Sequence, residues 1–193
     1  MPRELVLVLA CLLTLTCSSA PLATAGGHQH PPAAPAAGAE LTAAPPIPNA
    51  TPVRLLIPRI GVDAVVEARG LDGQRNLATP RDFKQVAWYD LGPQPGTQGN
   101  AIINGHVNWW TGSAVFARLG DLRPGDAVTV VRQDGTEAAF KVIKLKTVPA
   151  GARDASLFAP TQTSTLTLIT FSGPWDLRLG SDTDRLLVTA TLA

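Results

Sequence analysis

The feature that most constrains this chain is a succession of short β-rich runs, each cut off by proline or glycine before a helix could form. Val53–Ile57 and Val62–Ala68 are separated by Pro58 and Gly61, and Ala101–Asn104 is a further run. Ala127–Arg132 and Ala138–Lys146 flank Asp134-Gly135, a pair that accepts the positive φ of a tight hairpin turn. Thr165–Phe171 and Leu186–Leu192 complete a set of seven or eight strands. The helical candidates are brief, Arg81–Val86, Ala114–Leu119 and Asp154–Phe158, and none carries a sustained 3.6-residue apolar stripe. Many short strands with turn signals between them predict an all-β fold. That pattern suits a closed barrel or a sandwich; the barrel, which removes exposed strand edges, is the form expected from Val53 to Ala193, with one or two short helices.

The first 52 residues have another texture. Arg3 is followed by the apolar run Leu5–Leu15, and Ala23-Thr24-Ala25 supplies small residues suited to a signal peptidase. The run is about 11 residues, short of the roughly 20 that a helix needs to span a bilayer. A signal peptide over residues 1–25 is expected, with an uncleaved signal anchor as the alternative. Both cysteines, Cys11 and Cys17, lie within it. The mature chain would then have no thiol for a disulfide, a metal site or a nucleophile. Lipidation at Cys17 fits poorly, because Thr16 stands where a small Gly or Ala is usual. Residues 26–52 are rich in Ala and Pro, nearly uncharged and aperiodic, as in a disordered tether. His28 and His30 sit there as solvated side chains rather than as a metal site.

The net charge is +1, and the Lys and Arg residues are interspersed with acids and form no basic run. No nucleic-acid partner is expected. His106 is the one histidine beyond the tether, in Asn104-Gly105-His106-Val107-Asn108 at the end of an apolar run. By itself such a histidine is ordinarily packed or on the surface. Arg185 at the start of the last run is by itself an ordinary surface cation. Trp109 and Trp110 follow the histidine, and their alternation on extended backbone leaves at least one exposed, as a groove wall or as the rim of a core.

Taken in order, these pieces resemble the sortases, most closely their classes E and F. The resemblance rests on Arg54–Val62, on Ala87-Trp88-Tyr89, on Pro95–His106, on Leu122-Arg123-Pro124-Gly125-Asp126 and on Leu166–Thr170. It covers roughly Val53 to Ala193. It implies an eight-stranded β-barrel with a His, Cys and Arg site and no cofactor or metal. In that family the Cys thiolate attacks a carbonyl in a sorting signal resembling Leu-Pro-x-Thr-Gly. An amine of a cell-wall precursor or pilin then resolves the thioacyl enzyme. By position His106 matches the histidine, the general acid for the leaving amine, and Arg185 matches the arginine that steadies the oxyanion or the substrate backbone. Thr170, Asn108 and Trp109 fall where substrate would be bound. The implied setting is the bacterial cell surface, with the protein secreted or held in the membrane by its amino-terminal segment.

The departure from the pattern is at the nucleophile. The family's Cys follows Leu-x-Thr, and here Leu168-Ile169-Thr170 is followed by Phe171. A phenyl ring has no lone pair to form an acyl intermediate. Ser172 is next, but neighbours on a strand point to opposite faces unless the strand bulges or ends. One base separates a Cys codon from a Phe codon, so a sequence error, a recent loss and a true pseudo-enzyme all fit. Three readings remain: a cysteine transpeptidase by family that is inactive as written, a non-catalytic module that binds an extended peptide or wall component, and a wall-associated structural domain with no ligand, in which Trp109, Trp110 and Trp175 are core and rim.

Overall fold

Eight strands close on themselves in the order β1-β2-β3-β4-β9-β10-β8-β7, with β7 pairing back onto β1. The computed structural model describes residues 50–110, 112–178 and 180–193. The expected signal segment and all but the last three residues of the tether lie outside them. The barrel strands are β1 (Pro52–Ile57), β2 (Val62–Arg69), β3 (Val86–Tyr89), β4 (Gly99–Gly105), β7 (Ala127–Arg132), β8 (Glu137–Pro149), β9 (Ser164–Asp176) and β10 (Ser181–Leu192). A two-stranded ribbon, β5 (Asn108–Trp109) with β6 (Gly112–Ser113), follows β4. Most pairs are antiparallel, but β2 with β3 and β4 with β9 are parallel.

The barrel interior is filled by alternate residues of the strands, as period-two patterning requires. Leu55, Ile57, Ala101, Ile103, Val128, Val130, Phe140, Leu166, Leu168, Val188 and Ala190 belong to this core. The intervening residues face outward, and on one side they form a second, smaller cluster. Ile102 of β4, Ile169 of β9 and Leu187 of β10 are buried there, beneath Leu77, Tyr89, Val148 and Leu157. Three neighbouring strands are therefore apolar on both faces, which explains why β4 reads as a continuous buried run rather than an alternation.

The helical expectations are revised in detail. The short helices are three single 3₁₀ turns, Pro58–Ile60, Leu119–Asp121 and Ala155–Phe158. Arg81–Val86 is not helical. The Asp82 side chain accepts from the Lys84 N–H and its carbonyl from the Gln85 N–H, which turns the chain into β3. Val86 opens that strand, in which Val86, Ala87 and Trp88 are all buried. Of Ala114–Leu119 only the last residue enters a 3₁₀ turn; the remainder is non-helical, with turns from Val115 to Arg118. Asp154 caps its turn, accepting from the Ser156 N–H.

Candidate functional site

The parallel pairing of β4 with β9 brings together residues far apart in sequence. Its register sets Ile102 beside Thr167 and Asn104 beside Ile169. The last pair is Asn104 with Ile169, so His106 follows just past the end of β4 while β9 runs on to Phe171. On the far side of β9, Phe171 is paired directly with Arg185 of β10. The outer cluster shows which face these residues share. His106 lies four residues after Ile102, Phe171 two after Ile169, and Arg185 two before Leu187. Even steps along a strand keep the same face, so Phe171 and Arg185 belong to the outer face of β9 and β10, and His106 follows the end of the neighbouring β4.

His106 is held on two sides. Its Nε2 lies 3.1 Å from the Pro80 carbonyl oxygen. A carbonyl only accepts, so Nε2 carries a proton in this contact. The ring packs edge-on against Trp109, with centroids 5.3 Å apart. Trp109 in turn stacks on Phe83 at 5.9 Å. The backbone is pinned as well, because the Phe116 N–H donates to the His106 carbonyl and the Ala114 N–H to that of Val107. This return of the chain needs Gly105: a Cβ there would lie 2.8 Å from the Phe116 ring and 2.9 Å from Val115.

Arg185 lies over the Phe171 ring, its guanidinium carbon 5.5 Å from the ring centroid. Partial burial pushes the guanidinium pKa down, and desolvation is the cause. Among the described residues it forms no hydrogen bond or ion pair. The remaining candidates divide. Thr170 is buried and its hydroxyl donates to the Gly105 carbonyl at 2.8 Å, tying β9 to the end of β4. Its side chain lies on the face of Leu168 rather than that of Phe171. Asn108 is exposed on β5, and Trp109 and Trp110 are both exposed.

The strand bulges just beyond the site. Pairing shifts between Asp182 and Asp184, and Gly173 takes a φ of +83°. The bulge does not free Ser172. Its Oγ is buried with no hydrogen-bond partner, across from Asp184. Past this point β9 and β10 continue as a hairpin bearing the exposed Trp175 and Leu177.

Sequence reasoning did not find the cleft at the other end of β4. About 420 Å³ in volume, it is lined by Tyr89, Leu91, Pro93, Asn100, Leu157 and Phe158 among others. Asn100 shapes its floor, donating to the Leu157 carbonyl and accepting from Thr167. Asn100 and Ile102 place the cleft on the same outer face as His106, nearer the start of β4. The available signal was the aromatic and proline content of the loops on either side, Tyr89–Pro95 and Leu157–Pro160.

The described residues thus form a closed eight-stranded barrel with Phe171 and Arg185 paired on adjacent strands and His106 just past the end of a third. The chain belongs to the sortase family: the Sortase domain model matches residues 55–193. Solved structures agree on the fold. Sortase A of Corynebacterium diphtheriae, as a lid mutant, is 22% identical with a TM-score of 0.58, over 74% of this chain and 70% of that one. Sortase C-1 of Actinomyces oris is 24% identical with a TM-score of 0.58, over 74% of each chain. Sortase C2 of the group B Streptococcus pilus island 1 is 21% identical with a TM-score of 0.56, over 72% of each. No curated protein matches the chain.

Proposed function

We propose that this chain is an extracytoplasmic sortase-family protein whose transpeptidase chemistry is disabled at residue 171. The observation that carries the reading is the occupant of the nucleophile position: a phenyl ring, paired across the strand with Arg185 and stacked beneath its guanidinium. In a sortase the thiolate at that position adds to the scissile carbonyl of a sorting signal, and the amine leaves with a proton from the histidine. His106 and Arg185 are the residues for the proton and for the oxyanion. The bond to carbon that defines the reaction has no atom here to form it. Ser172 is a poor substitute, since a buried hydroxyl on the opposite face of the strand does not reach a peptide beside His106. Export is supported by the family and by the signal-like segment at residues 1–25. The ligands in this reading are a Leu-Pro-x-Thr-Gly-like peptide of a surface protein and, for an active form, a wall-precursor or pilin amine.

The stack of Arg185 on Phe171 favours a second reading, a sortase-fold module that binds an extended peptide or wall component without cleaving it. A fluorogenic sorting peptide, tested on this protein and on Phe171→Cys, separates the two. No turnover by the first and recovered turnover by the second supports a disabled enzyme. A folded but silent Phe171→Cys protein favours the binding module. A covalent acyl adduct on the protein with Phe171 overturns both.

A further inference from the structure

Arg185 differs from the other described guanidinium groups that are withdrawn from water in what it does with its donors. Arg69 lies 3.8 Å from the Glu67 carboxylate. The buried Arg132 donates to the Pro95 carbonyl and to the Thr136 hydroxyl. Arg185 is withdrawn from water without such compensation, and desolvation is the cause acting on it. The carboxylate beside it in sequence, Asp184, accepts from the Thr183 hydroxyl. A half-buried cation whose N–H groups are unspent is a costly arrangement unless an anion arrives from outside.

The geometry specifies the anion. The attraction to the Phe171 ring, 5.5 Å from the guanidinium carbon to its centroid, uses none of the N–H donors as a hydrogen bond. Two parallel N–H groups match the two oxygens of a carboxylate. The neighbour beneath the cation is an aromatic ring, Phe171. The ligand therefore has an apolar body and one anionic end. We propose that Arg185, seated on Phe171, binds the free C-terminal carboxylate of an extended peptide. The inference rests on the reading that peptide is held at this site without cleavage. The class of reaction that supplies such a ligand is hydrolysis of a peptide bond, which leaves a carboxylate at the new chain end.

The test uses the full chain and three probes, followed by calorimetry at low salt: acetyl-Leu-Pro-Ala-Thr as the free acid, the same peptide as its C-terminal amide, and acetyl-Leu-Pro-Ala-Glu amide. The free acid is expected to bind at least tenfold more tightly than either amide, since a charge-assisted bidentate pair is lost with the terminal carboxylate. Arg185→Gln is expected to abolish that preference. Arg185→Lys, which keeps the charge without the planar fork, is expected to keep a part of it and serves if the Gln variant does not fold. Equal binding of acid and amide overturns the carboxylate site while leaving the peptide groove standing. Binding of the Glu amide as tightly as the free acid overturns the assignment to a chain end. Absence of binding by all three probes overturns the inference together with the reading beneath it.

Discussion

Replacing Phe171 by Cys tests the arrangement of the site without knowledge of any substrate, because it places a titratable group under Arg185. Residues 50–193 contain no cysteine, so with Cys11 and Cys17 changed to Ser the new thiol is the sole one in the chain. Taking the 5.5 Å between the guanidinium carbon and the ring centroid as the charge separation, the attraction on a thiolate is about 3 kcal/mol at an effective dielectric of roughly 20. Water reaching a half-buried pair cuts this to about 1.5 kcal/mol, or about one pKa unit. The thiol should therefore titrate about one unit below the ordinary value of about 8.5. The exchange removes a half-buried ring and a cation–π contact, together about 1–2 kcal/mol, which a domain with typical stability withstands. The assay is the rate of iodoacetamide alkylation between pH 5 and 10. Adding Arg185→Gln should return the titration to its ordinary position. A thiol that titrates at or above about 8.5, or whose titration ignores Arg185, would refute the placement of the guanidinium over residue 171.

Gly105→Ala should lower the melting temperature by about 4–12 °C, the effect of roughly 1–3 kcal/mol of overpacking against Phe116 and Val115; calorimetry checks this. Gly120→Ala, whose Cβ would meet Leu186 at an ordinary 3.7 Å, should change it little. Asp182 is buried, and desolvation holds its carboxyl above the usual range. A carboxyl raised by folding costs stability only when ionised, so the cost is absent well below pH 4 and grows as pH rises from the unfolded value through the folded one. Asp182→Asn should therefore be stabilising at pH 7 and neutral near pH 3 in melts across that range. Ser172→Ala should raise stability by about 1 kcal/mol in urea titrations, because it removes a buried hydroxyl without a partner.

The strands and their order were legible in the sequence wherever one face is wet. Alternation marks β2, β7 and the first half of β8, and Asp134-Gly135 marks the turn between the last two, because local chemistry suffices for a hairpin. The spaced motifs carried the family, and the residue after Leu168-Ile169-Thr170 carried the anomaly. The strand Val86–Tyr89 was hidden, since it is buried on both faces and leaves no period-two signal. What only the tertiary structure decided is the pairing of Phe171 with Arg185 and the approach of the end of β4, which His106 follows, to the strand that carries Phe171. It depends on the parallel register of β4 with β9, closed over the 58 residues between Gly105 and Ser164. Such a register is set by packing on both faces of the sheet, with Ile103 and Leu168 inside and Ile102, Ile169 and Leu187 outside. The unspent guanidinium, the sealed Ser172 hydroxyl and the cleft at the far end of β4 follow from that packing, because burial is a property of neighbours that a linear sequence does not name.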